Sequence, residues 1–101
     1  MKRLTAICAL AFAGVCDAQM QTGNDLHRWF TSSDEIMATA YIIGVADTDP
    51  AATKCVPGEV SNGQLKDVVR KYLADAPAER HKPAPGLVLV ALSRAWPCKK
   101  P

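Results

Sequence analysis

The chain of 101 residues has two histidines, His27 and His81, and four cysteines, Cys8, Cys16, Cys55 and Cys98. A zinc site made from them would need two ligands close together on one turn, and no Cys-x-x-Cys or His-x-x-x-His pair is present. Cys55 and His81 have the residue types of a thiolate nucleophile and its base, a pairing that works only if the thiol is reduced. Asp47 and Asp49 could be paired carboxylates, but they sit in Asp-Thr-Asp-Pro, a turn-forming run whose carboxylates face water. Neither a phosphate-binding glycine loop nor a calcium loop of the usual spacing occurs. These residues point to no catalytic group, metal or cofactor, and favour a protein that acts by contact.

The compartment decides what the cysteines do. Lys2 and Arg3 precede an apolar run from Leu4 to Val15, and Asp17-Ala18 offers a small residue for cleavage, so residues 1–18 read as a secretory signal peptide. The run is shorter than the ~20 residues a membrane-spanning helix needs. In the alternative reading Cys16 becomes a lipidated first residue, against which Val15 stands where such signals carry Gly, Ala or Ser. Residues 19–101 then form one small domain with Cys55 and Cys98. In an oxidising compartment that pair is expected to form a disulfide closing a 43-residue loop. Such a loop is worth about 4 kcal/mol in the chain-entropy treatment. Net charge is +2 for the whole chain and falls to +1 without the leader. That balance excludes a strongly basic nucleic-acid binder, and the mature segment has no apolar run long enough to span a membrane.

The elements that position these residues read as helices. Thr22 or Asn24 caps a first helix through Phe30, with Asp25 near its positive end, after a polar, frayed stretch over residues 19–23. Ser32 and Glu35 have the spacing of a capping box ahead of a second helix over residues 36–46. Its apolar stripe is expected to run through Ile36, Ala40 and Ile43, with Met37, Tyr41 and Val45 beside it. Gly44 is either a point of close backbone approach or merely tolerated. Residues 47–63 are expected to be irregular, with both cysteines in turns beside prolines. Ser61 and Gln64 form a second capping box, and Leu65, Val68, Val69, Tyr72 and Leu73 follow helical spacing up to the stop before Pro77. Residues 77–85 read as a short turn and a kink. Residues 87–96 have the composition of a buried strand, but the spacing of Val88, Ala91, Leu92 and Ala95 predicts a helix, and a lone strand would have no partner. Trp29, Phe30 and Trp96 are expected to be core side chains. The fold expected is all-α, a small bundle of about four helices with one disulfide.

The ordered set of motifs adds to this reading. Thr22-Gly23-Asn24-Asp25-Leu26 is followed by Tyr41-Ile42-Ile43-Gly44-Val45-Ala46-Asp47, Cys55-Val56-Pro57, Ser61-Asn62-Gly63-Gln64-Leu65 and Val68-Val69-Arg70-Lys71-Tyr72-Leu73. Pro77, His81, Ala91-Leu92 and Trp96-Pro97-Cys98 close the series. The set resembles the Tai family of type VI secretion immunity proteins over nearly all of residues 19–101. The resemblance implies a periplasmic all-α domain that is not an enzyme, binds a peptidoglycan amidase effector, blocks its groove and forms a homodimer. Many relatives carry a second cysteine pair near the first two helices, where this chain has Phe30 and Ala38. The family's motifs look structural and carry over no binding residues. The exposed segment around Asp47, Thr48, Asp49 and Lys54 is the expected effector contact. A small periplasmic chaperone or a structural accessory of the envelope is the alternative function.

Overall fold

The computed structural model describes residues 21–99. Its helices are α1 (Gly23–Thr31), α2 (Glu35–Thr48), α3 (Pro50–Thr53), α4 (Asn62–Asp75) and α5 (Ala84–Ala95), with a 3-10 turn at Pro77–Glu79. Four are long, α3 is a single turn, and no strand occurs among the described residues. The proposed leader, with Cys8 and Cys16, lies outside the described residues.

Local chemistry sets most helix starts. Thr22 caps α1: the Asp25 amide donates to Thr22 Oγ1 (3.2 Å) and the Thr22 amide donates to Asp25 Oδ2 (2.9 Å). Ser61 and Gln64 make the same reciprocal pair at the head of α4, at 3.1 and 2.8 Å. The capping box expected at Ser32 and Glu35 does not form. Ser32 ends α1 and Asp34 stands at the cap of α2 without a side-chain cap bond. Glu35 is engaged elsewhere, since its carboxylate pairs with Lys66 Nζ (3.0 Å) and with Arg70 on α4. Two cations across a helix interface compete better for a carboxylate than one amide on its own turn.

Two further boundaries differ from expectation. Residues 47–63 are not wholly irregular: α2 runs on to Thr48, whose hydroxyl donates to the Val45 carbonyl (2.8 Å), and α3 follows with Pro50 in its first position. The last helix begins at Ala84 rather than at residue 87, because Pro85 lies in the first turn, where its missing N–H has no partner to lose. The predicted helix, rather than the strand, is what forms there.

The core comes from all four long helices. Leu26 of α1, Ala38, Ile42 and Ala46 of α2, and Val69 and Leu73 of α4 pack with Ala84, Leu87, Val88, Ala91 and Leu92 of α5. Trp29, Phe30 and Trp96 pack half-buried against this cluster, in keeping with their expected core role. The Trp29 and Tyr41 rings meet edge to face with centroids 5.8 Å apart. The stripe expected on α2 is displaced, for Ile36 is 85% and Met37 54% exposed while Ala38, Ile42 and Ala46 turn inward. This helix is apolar almost all round, so its sequence period carries no phase. Glu35 supplies the phase, since positions 35, 38, 42 and 46 share one face and the ion pairs of Glu35 to α4 orient that face. Gly44 is exposed, with nothing within 4 Å of where a Cβ would stand, so it is not a point of close approach.

Close approach occurs instead at Gly23, in the stretch expected to fray. The Gly23 amide donates to the Lys82 carbonyl (3.0 Å), the Asn24 amide to the Arg80 carbonyl (2.7 Å) and the Ala84 amide to the Gln21 carbonyl (2.8 Å). These bonds bind the start of α1 to the entry of α5, with Gly23 buried between them. A Cβ at Gly23 would meet the Leu87 side chain and stand 2.9 Å from the Arg80 carbonyl oxygen.

Cys55 and Cys98 are bridged, with Cα atoms 5.2 Å apart, joining the turn after α3 to the segment after α5. Both lie in irregular segments, as their prolines predict. Ala38 is fully buried and Phe30 lies under the Arg70 guanidinium, 5.2 Å from the ring centroid.

Two outcomes follow from this packing. Thiol labelling of the unreduced, denatured protein spanning residues 19–101 is expected to find no free cysteine, and two labelled thiols would refute the bridge. Gly23→Ala is expected to destabilise the domain by about 1–3 kcal/mol in urea melts, because backbone blocks the new methyl on the α5 side. An unchanged midpoint would show that the contact between residues 21–24 and residues 80–84 is loose.

Candidate functional site

The structure separates the residues that could have carried catalysis. Cys55 is in the disulfide and has no thiol to ionise. His27 is half-buried on α1, His81 lies exposed in the turn after Pro77–Glu79, and Asp47 is exposed near the end of α2. Among the described residues, no group of three or more His, Cys, Asp or Glu is arranged to hold a metal ion. No helix among them is long and apolar enough to cross a membrane.

His27 has a structural setting. Its Nδ1 is buried without a hydrogen-bond partner, and it sits one turn beyond the backbone bonds that join Gly23 and Asn24 to residues 80–82. Burial, and secondarily the charge of Arg80, hold the imidazole below its ordinary value of 6.5.

The predicted contact residues do come together as a surface corner. Asp47 and Thr48 form the exposed end of α2, and half-buried Asp49 closes the helix with its amide donating to the Ala46 carbonyl (3.4 Å). The Asp49 carbonyl accepts from both the amide and the hydroxyl of Thr53, each at 3.3 Å, which ties α2 to α3. Lys54 is exposed in the next turn and is followed directly by Cys55. The corner is therefore pinned by hydrogen bonds at one side and by the disulfide at the other.

A groove of about 470 Å³ runs from this corner between α2 and α5. Tyr41, Gly44, Val45, Thr48 and Asp49 line one wall; Pro85 and Leu89 line the other. Burial raises the Tyr41 phenol above its ordinary pKa, so this side chain of the wall is uncharged. On the opposite flank of α5 lies a second groove, of about 370 Å³, with Leu87 and Val90 on its floor and Tyr72, Glu79, Lys82 and Arg94 at its edges. Glu79 and Lys82 pair there; the hydrogen bond holds the carboxyl below and the ammonium above its usual range. The Arg94 guanidinium lies 5.5 Å over the Tyr72 ring.

Neither groove was identified from sequence. Leu89 and Val90 read there only as part of a buried apolar run, and Pro85 as the end of a kink. The available signal was charge: no residue from Pro83 to Ser93 is ionisable. A helix exposed on one face would ordinarily carry charge on that face.

His27 gives a pH prediction whose sign is fixed. The folded state binds this proton less readily than the unfolded chain, so stability from the neutral imidazole is complete above about pH 6.5 and is lost as pH falls toward the folded-state value. The carboxyls of Asp25, Glu35 and Glu79 are held low by their partners, and their contribution disappears only in the carboxylate range, around pH 4 and below. Melting temperature is expected to decline between pH 7 and 5 in the native chain and to stay flat there in His27→Gln, with a shared decline at lower pH. An equal decline in both proteins above pH 5 would clear His27 of the effect.

The sequence model of one known family, the Rap1a immunity proteins, matches residues 11–98. No curated protein and no solved structure matches the chain.

Proposed function

The chain belongs to the Rap1a immunity protein family, a family of type VI secretion immunity proteins, and from that premise we propose that it is exported and neutralises a peptidoglycan amidase effector in the periplasm. The immunity role and a protein partner come with the family. The amidase, the periplasmic site, the cleaved leader at residues 1–18 and a homodimeric state rest on the narrower resemblance to Tai proteins.

The observation that carries the reading is the corner built by Asp47, Thr48, Asp49 and Lys54. It is exposed over most of its length and is immobilised by the Thr53 bonds and the Cys55–Cys98 bridge. A plug that enters an enzyme groove gains affinity if it is already in its bound shape, because little chain entropy is then lost on docking. The exposed charges of Asp47 and Lys54 supply steering and specificity more than raw affinity. Occlusion of this kind requires shape and charge and no catalytic group.

The test mixes the disulfide-bonded chain with a type VI amidase encoded beside it and follows peptidoglycan hydrolysis. A stable complex and loss of hydrolysis are expected. Asp47→Ala with Lys54→Ala should weaken binding about tenfold, or 1.4 kcal/mol, without a change in melting temperature. Continued hydrolysis at saturating concentrations of the chain would remove the amidase reading.

A further inference from the structure

The outer face of α5 shares with α2 over residues 36–46 a lack of charged side chains, but unlike the exposed Ile36 and Met37 it lies between two grooves. Ala84, Leu87, Val88, Ala91 and Leu92 turn inward, which leaves Pro85, Gly86, Val90 and Ser93 exposed and Leu89 half-buried on the opposite side. The run from Pro83 to Ser93 holds no charge on either face. Helices that are apolar all round are ordinarily covered on all sides, yet Val90 is 37% exposed. The two grooves flank this face, Pro85 and Leu89 lining one and Gly86, Val90 and Arg94 the other.

The two flanks differ in sign. The α2 side carries Asp47 and Asp49 against the single charge of Lys54 at the corner, and the other carries Lys82 and Arg94 against the single charge of Glu79. A specific interface buries about 800 Å² per partner and centres on a few desolvated apolar anchors within a polar rim. The corner at residues 47–54 offers polar and charged side chains suited to a rim. The groove from that corner leads directly onto the uncharged face of α5, which offers the centre. The other exposed apolar side chains, Ile36 and Met37, lie at the far end of α2, about 18 Å along the helix from Thr48.

We propose that the outer face of α5 is the apolar centre of the effector contact, receiving an apolar segment of the effector flanked by a cation toward Asp47 and a carboxylate toward Lys82 and Arg94. This rests on the effector-neutralising reading above and extends its contact from the corner across α5. The partner is thus described by chemistry: an apolar ridge with opposite charges on its two sides. A partner with the reverse polarity meets like charge on both flanks and is rejected.

Gly86 allows a test that spares the fold. Nothing lies within 4 Å of a Cβ built there, and an added side chain favours the helix, so Gly86→Gln should keep or raise the melting temperature while obstructing the face. Affinity for the adjacently encoded amidase would be measured for the disulfide-bonded chain, for Gly86→Gln and for Arg94→Glu, with sedimentation of each chain alone. The expected result is a loss of at least about tenfold in affinity for each variant with unchanged folding. Native affinity in Gly86→Gln, alongside weakened binding in Asp47→Ala, would confine the effector to the corner and overturn the α5 proposal while leaving the immunity reading intact. A shift in the chain's own mass with native effector affinity would assign the face to a second copy and likewise overturn it. No binding by the unaltered chain would remove both readings.

Discussion

Each of the other helices packs against α5, and the three long ones bury apolar side chains with its inner face; the rest of the structure depends on that shared burial. Five of the eleven buried apolar side chains come from α5, so removing it would leave α1, α2 and α4 without most of the surface they cover. A domain of this size buries too little surface to spare a partner. This explains why the entry to α5 is held so closely. The three backbone bonds between residues 21–24 and 80–84, with Gly23 pressed on Arg80, fix where the helix begins. The disulfide acts on the opposite end: it joins the segment after α5 to the turn after α3, and neither cysteine is among the core residues. The bundle and the bridge are thus separate devices, the first holding the helices together and the second holding the corner beside them.

That separation gives the surface its character. An immunity protein needs a face that keeps its shape without help from the partner. The corner at residues 47–54 is fixed at both ends by bonds that do not belong to the core, so its side chains can vary with little effect on helix packing. The grooves beside α5 arise from packing itself, with Pro85 lining one flank and Gly86 the other. The family brings a protein partner; in the proposed contact the charges around this surface select among partners.

Several elements were legible residue by residue. Ser61 and Gln64 announce α4 and the structure forms that capping box, whose two partners lie on the same turn. The same pattern at Ser32 and Glu35 failed, because Lys66 and Arg70 reach Glu35 from a helix thirty residues away in sequence and local spacing carries no information about them. The inward face of α2 was misread for a related reason: where almost every position is apolar, periodicity cannot choose a side. Of the corner residues Asp47, Thr48 and Lys54 are exposed and Asp49 is half-buried, and the first two lie on the end of α2 rather than in the irregular segment expected. The grooves were not seen, since Pro85 and Leu89 become groove walls only when α2 lies beside them.

The sequence by itself determined the helical class, the bridge between Cys55 and Cys98 and the stops at the prolines. These follow from short-range rules of spacing, capping and cysteine number, which act within a few residues or on the chain as a whole. Tertiary structure alone decided the rotation of α2, the burial of Gly23, the setting of His27 and the uncovered face of α5. Each of these depends on which groups from distant parts of the chain meet: a carboxylate reached by two cations, a glycine against a carbonyl, an imidazole beside Arg80, and one apolar helix with too few neighbours to cover both its sides.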